Sequence, residues 1–184
     1  TFTIDSDKTL DYDDAFSVIE WNKSGLKIAV HITDLSYNIK HKDIIFKEAE
    51  SRISSVYTLE DNFPMLPIEL SNDIFSLKSG ESKNVISFFF KISNYGDWQL
   101  LDIESRRIRV QKNLSYKEAN KLIEEKKDFW NLLEKTCLQS LKKRIDNGAL
   151  NIIRKEFFFD IVDPENIRIF RLNRNSPANR IIEE

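Results

Sequence analysis

TFTIDSDKTLDYDDAFSVIEWNKSGLKIAVHI (residues 1–32) decides the fold. Thr1 to Asp5 alternates, with Phe2 and Ile4 on one side, as a half-buried strand does. AFSVIEW (15–21) reads as a buried strand. LKIAVHI (26–32) alternates again, with Leu26, Ile28, Val30 and Ile32 on one face. NKSG (22–25) has the composition of a turn, so these two strands form a hairpin. Four acids precede it at close quarters: Asp5, Asp11, Asp13 and Asp14.

Outward from this hairpin the pattern stays mixed. HKDIIFKEAESRI (41–53) has helical spacing through Ile44, Ile45, Glu48 and Arg52. SVYTLEDNFPMLPIELSND (55–73) reads as a long ordered connection, because Pro64 and Pro67 fix φ and remove two donors. NVISFFFKIS (84–93) is a strand, YGD (95–97) a turn, and WQLLDIESRRIRV (98–110) one or two further strands. Ser115 followed by Glu118 is a capping-box signature. It predicts a long helix to about Arg144 with a break near Asp128, and Gly148 sits where a helix C′ residue belongs. EFFFDIV (156–162) and IRIFRL (167–172) are strands, and SPANRIIEE (176–184) starts a final helix. The expected class is α+β: a mixed, largely antiparallel sheet with hairpins, flanked by helices.

The bulk composition narrows the function. Thirteen Phe, five Tyr and three Trp in 184 residues supply a core. A net charge of −2 gives no overall basic field to attract nucleic acid. The one cysteine, Cys137, excludes an internal disulfide and a cysteine zinc site. No apolar run approaches the ~18 residues of a membrane span. The chain opens on Thr1 and its one methionine is Met65, so it is expected to be a single domain, 1–184, truncated at both ends.

The acid cluster carries the chemistry. Asp11 and Asp13, two apart, face the same way in an extended segment. The short polar SDKTL (6–10) has the composition of a turn that folds back, bringing Asp5 beside them. Clustered carboxylates raise one another's pKa unless a cation compensates. A hard divalent ion is the natural compensation, and Mg²⁺ takes a few carboxylates plus substrate phosphate. A solvated acidic turn is the plainer alternative. The apolar strand that follows Asp14 at once favours the metal. An EF-hand fails, since its glycine and closing glutamate positions fall on Leu10 and Phe16.

TIDSDKTLDYDDAFSV (3–18) resembles the opening signature of the ribonuclease II family catalytic domain, the RNB domain. VHITDLSYNI (30–39), SVYTLEDNFPMLPIELSNDIFSL (55–77), DNGAL (146–150) and ANRIIEE (178–184) resemble its later blocks, in order. The resemblance implies an incomplete RNB-type catalytic domain from a processive 3′-to-5′ exoribonuclease. Such enzymes hydrolyse single-stranded RNA and release nucleoside 5′-monophosphates. It implies that Asp5, Asp11, Asp13 and Asp14 hold Mg²⁺, with Mn²⁺ as a substitute, in a two-metal site. Asp13 would be tied most directly to catalysis. Tyr57 would pack against the 3′-terminal nucleotide, Tyr116 would contact RNA, and Glu183 would help select RNA over DNA. Flanking cold-shock-like and S1 RNA-binding domains are expected in the parent protein. An arginine-bearing segment and a further glutamate are expected from the domain's second half. The isolated chain is therefore expected to be weakly active or inactive, and its residence cytoplasmic or organellar. The alternative is a non-catalytic RNA-binding or regulatory relative.

The residues themselves allow plainer roles. Tyr116 is at N1 of a predicted helix, where a core role is natural, and Glu183 and Glu184 form an ordinary solvated pair. His31 alternates with apolar neighbours and reads as a satisfied structural histidine, and His41 reads as a surface residue. Asp34 is a candidate outer acid of the site. Arg107 and Arg109 share a strand face, and Arg168, Arg171 and Arg174 lie near another strand. They line either a phosphate path or an ordinary charged surface.

Overall fold

The computed structural model describes residues 1–58, 61–150, 156–163, 166–172 and 175–184. β1 (Phe2–Asp5), β2 (Asp14–Asn22) and β3 (Gly25–Thr33) come first, and β2 and β3 form the expected antiparallel hairpin. α1 (Ile44–Arg52) follows, then a short hairpin of β4 (Val56–Tyr57) and β5 (Asn62–Phe63). The long strands β6 (Ser82–Ser93) and β7 (Trp98–Arg109) precede β8 (Lys112–Ser115). α2 (Tyr116–Glu124) and α3 (Trp130–Asp146) come next. β9 (Glu156–Asp163) and β10 (Asn166–Leu172) pair in their own two-stranded sheet, and α4 (Pro177–Glu183) closes the chain.

Six strands form one sheet in the order β7-β6-β3-β2-β1-β8. Its pairs are antiparallel except β1 with β8, which run parallel with Phe2 opposite Lys112 and Asp5 opposite Ser115. The mixed, largely antiparallel α+β class is thus the observed one.

Side-chain alternation sorts the sheet's two faces. Ile4, Phe16, Leu26, Ile28 and Ile92 face the helices, where Ala119, Ile123, Trp130, Leu133, Cys137 and Ala178 complete the main core. Phe2 and Phe16 meet the Trp130 ring at 5.5 and 5.9 Å between centroids, both edge-on, the arrangement that aromatic quadrupoles favour. The other face carries a smaller cluster of Ala15, Leu77, Val85 and Val110. His31 is buried, its Nε2 2.8 Å from Ser17 Oγ and its Nδ1 2.8 Å from Ser87 Oγ. Burial pulls its pKa down to about 4, so it is a neutral, satisfied structural histidine, as its alternation predicts.

Two segments are more structured than their composition suggests. The connection after α1 holds the β4–β5 hairpin and a π-helical turn over Leu70–Ile74. Lys83 Nζ donates to the carbonyls of Asp73 and Ile74, satisfying groups that such a turn leaves open. The predicted long helix is two helices. Its start carries the full capping box, with Ser115 Oγ accepting from Glu118 N at 3.2 Å and Glu118 Oε2 accepting from Ser115 N at 2.9 Å. The break falls where Lys126 and Asp128 adopt positive φ, and it delivers Phe129 and Trp130 to the core.

The β2–β3 turn needs glycine at its exit. Gly25 has φ +139°, and a Cβ there would lie 2.0 Å from the Ile92 carbonyl oxygen. Gly80, at φ +83°, has open space around it. Gly80→Ala is expected to cost about 1–2 kcal/mol of unfolding free energy from backbone strain alone. Gly25→Ala is expected to cost clearly more, because strand β6 must move; urea denaturation of the two variants measures the difference.

Candidate functional site

β1 and β2 are antiparallel neighbours, with Phe2 opposite Phe16. The chain leaves the sheet at Asp5 and returns at Asp14, so both acids sit at one end of adjacent strands. Asp11 and Asp13 lie on the connecting loop. That loop turns back at Ser6–Thr9, where Thr9 N donates to the Ser6 carbonyl at 3.1 Å and the two hydroxyls meet at 2.8 Å. This is the fold-back that SDKTL predicts.

Three distant groups hold the loop's second half. Ser76 Oγ accepts from Tyr12 N at 3.1 Å and donates to the Leu10 carbonyl at 2.7 Å. Leu77 N donates to the Tyr12 carbonyl at 2.9 Å, and Thr33 N to the Asp13 carbonyl at 3.1 Å. Ser76 is wholly buried. Its hydroxyl satisfies one donor and one acceptor of a loop with no strand partner of its own. Sequence reading missed Ser76 and Thr33, because a serine inside an apolar run and a threonine ending a strand carry no chemical signature.

The carboxylates feel one another. Partial burial raises the Asp5 pKa to about 6, opposed by a hydrogen bond with Thr3 and reinforced by the charges of Asp14, Asp13 and Asp11. Asp13 is raised by burial and then by Asp11 and Asp14, and Asp14 by burial. Among the described residues, no three His, Cys, Asp or Glu side chains are gathered into a group that could hold a metal. The donor chemistry nonetheless suits a hard divalent cation: four carboxylates on one stapled loop and its flanking strand ends, three of them with raised pKa. Asp11 already has a partner, because Tyr57 Oη donates to its Oδ2 at 2.9 Å.

Two clefts border the acid loop. One, of about 660 Å³, is lined by Asp11, Asp13, Tyr57, Lys8 and Asn72. The other, about 590 Å³ and mostly apolar, is lined by Asp14, Phe16, Phe88, Trp98 and Glu183. The structure therefore brings Tyr57 to Asp11, and Glu183 to the cleft that Asp14 borders. Tyr116 lies elsewhere, half-buried against the main core and outside the lining of both clefts. The expected solvated pair at the C-terminus is divided: Glu184 pairs with Arg144, and its side chain is almost covered.

Asp34 is a cap. Its Oδ1 accepts from Ser36 N at 3.0 Å and Ser36 Oγ at 2.6 Å, and its Oδ2 accepts from Ser105 Oγ at 3.3 Å. His41 lies on the surface, its ring against Phe46. Arg109 donates to the Gly80 carbonyl, while Arg107 lines a separate cleft beside Asp34. Arg168 and Arg171 are exposed on β10, and Arg174 lies outside the described residues. No helix among the described residues is long and apolar enough to cross a membrane.

Residues 1–184 match the RNB domain family along their whole length. The chain belongs to this family. It is similar to ribonuclease R of Mycoplasmopsis pulmonis, at 35% identity over 82% of this chain and 22% of that protein. It is similar to ribonuclease R of Thermotoga maritima, at 33% identity over 67% of this chain and 17% of that protein. This RNB domain thus spans only a minor part of the length of the relatives it matches. Its fold is that of Mycoplasma genitalium RNase R, solved in complex with ribose methylated single-stranded RNA. The TM-score is 0.86 at 24% identity, covering 99% of this chain and 30% of that one. The chain is thus homologous to part of the ribonucleases R.

The raised pKa of Asp5 sets a pH dependence. The folded protein holds this proton more tightly than an ordinary carboxyl of pKa 3.8 does. Ionising Asp5 therefore lowers stability. The loss is absent below about pH 4, grows as pH rises toward about 6, and is complete above that. Asp5→Asn is expected to stabilise the metal-free protein by about 1 kcal/mol at pH 7, since the group is partly open to solvent, and to give no gain at pH 4. Denaturation with EDTA at both pH values checks this.

Proposed function

We propose that the full-length protein is a metal-dependent hydrolytic exoribonuclease. It degrades single-stranded RNA from the 3′ end and releases nucleoside 5′-monophosphates. The observation that carries this reading is the stapled acid loop, which sets Asp11 and Asp13 on one cleft and Asp14 on another, with Tyr57 bound to Asp11.

The four aspartates would hold Mg²⁺, or Mn²⁺ in its place, as hard oxygen ligands. When bound, such ions lower the pKa of water and stabilise both the attacking and leaving oxygens of a phosphodiester. The chain's own residues bind and orient. Tyr57 is 64% exposed, so most of its ring is open to stack on the 3′-terminal base, a contact worth about 1–3 kcal/mol that tolerates any base. Glu183 lines the cleft beside Asp14, where a carboxylate can accept a 2′-hydroxyl proton and so favour RNA over DNA. Tyr116, partly buried against the core, would contact RNA through its exposed part. Burial, and then mutual repulsion within the cluster, disfavour its fully ionised state until a cation arrives. The substrate class places the protein inside the cell, among RNA pools.

Asp13→Asn in the full-length protein keeps the side-chain shape and removes its charge. With 5′-labelled single-stranded RNA and Mg²⁺, the variant is expected to lose hydrolysis by about 100-fold or more, the scale on which loss of a transition-state electrostatic contact acts. RNA binding in EDTA is expected to persist. Unchanged hydrolysis would remove the acid cluster from the catalytic centre.

A further inference from the structure

Tyr57 and Asp11 are far apart in sequence, yet their hydrogen bond joins two independently braced pieces of chain. Tyr57 sits on the β4–β5 hairpin, opposite Asn62. Thr58 closes that hairpin, accepting from Asp61 N through its Oγ1 at 3.0 Å and donating from N to the Asp61 carbonyl at 2.9 Å. Ser55 Oγ accepts from Met65 N at 2.9 Å, and Arg52 Nη1 donates to the Pro64 carbonyl at 3.0 Å, so the hairpin is tied at its base. Asp11 is braced from the other side, because Leu10 and Tyr12 on either side of it are both clamped by Ser76.

The fold has little need of this bond. A hydrogen bond at so exposed a position contributes little to stability. What it does fix is the orientation of a carboxylate. Oδ2 is engaged by the phenol at 2.9 Å, and among the described residues no hydrogen bond is found to Oδ1, the oxygen better placed to bind a cation. Carboxylates that ligate metals are commonly held this way by an outer hydrogen-bond donor, and loss of such a donor typically weakens metal binding about 10–100-fold.

We infer that Tyr57 is a positioning residue for the metal: its hydroxyl orients Asp11, a task separate from the stacking of its ring on RNA. This rests on the exoribonuclease reading above, and it divides one side chain into two parts with different functions. The ring meets the 3′ nucleotide and the hydroxyl sets the metal ligand.

Mn²⁺ binding by the full-length protein, read without RNA from the electron paramagnetic resonance signal of free Mn²⁺, tests this. Tyr57→Phe keeps the ring and removes the hydroxyl; the site is exposed, so the variant folds. It is expected to bind Mn²⁺ about tenfold more weakly. Its affinity for single-stranded RNA in EDTA is expected to stay within about twofold of the unmodified protein, because the stacking ring is kept. Saturating Mn²⁺ should restore its hydrolysis, whereas Tyr57→Ala, lacking the ring, should stay impaired in RNA binding at any Mn²⁺ concentration. Unchanged Mn²⁺ affinity in Tyr57→Phe overturns the positioning role and leaves the exoribonuclease reading intact. Failure of the unmodified protein to bind Mn²⁺, or an Asp11→Asn variant that binds it equally well, overturns the metal reading and the role of Tyr57 with it.

Discussion

The two hydrogen bonds of one buried hydroxyl, Ser76 Oγ, keep the acid loop in place. Four carboxylates so close in sequence repel one another, and a free loop would spread to lower that repulsion. Ser76 prevents this by engaging Leu10 and Tyr12 on either side of Asp11, while Leu77 and Thr33 hold Tyr12 and Asp13 through the backbone. Burial first, and then the repulsion that remains, raise the pKa of Asp5 and Asp13. In the proposed enzyme, a loop held in this way would trade some stability of the empty protein for affinity toward a divalent cation.

The sheet supplies the frame. β1 is short, yet it is held on both sides, antiparallel to β2 and parallel to β8. The loop ends at Asp5 and Asp14 are therefore fixed by strands whose other residues build the main core. On the helical side, Asp14 and Glu183 border a largely apolar cleft; on the other, Asp11 and Asp13 border a more polar one with Tyr57. In the proposed enzyme the scissile phosphate belongs at the acids.

Local features were legible in the sequence and distant ones were not. The β2–β3 hairpin, the Ser115–Glu118 capping box and the fold-back at SDKTL all depend on neighbours in the chain, and each is present. His31 is buried between two serines, as its alternation with apolar residues suggests. The parallel β1–β8 pair joins segments 110 residues apart, and no local pattern encodes it. The Tyr57–Asp11 bond spans 46 residues and the Ser76 clamp 64 to 66. Asp34 shows the same limit from the other side: an acid near the site in sequence proved to be a cap for Ser36 with a bond to Ser105. The family resemblance supplied the candidate residues; Tyr57 lies at the acids, and Tyr116 is partly buried against the core.

The central claim is that this loop is a metal centre. The most direct measurement is an anomalous-difference map at the manganese edge, from crystals of the full-length protein grown with Mn²⁺ and a nonhydrolysable single-stranded RNA. The account predicts a peak ligated by carboxylates among Asp5, Asp11, Asp13 and Asp14, against the scissile phosphate. Manganese bound elsewhere, with these four side chains ordered and metal-free beside the RNA, would contradict it.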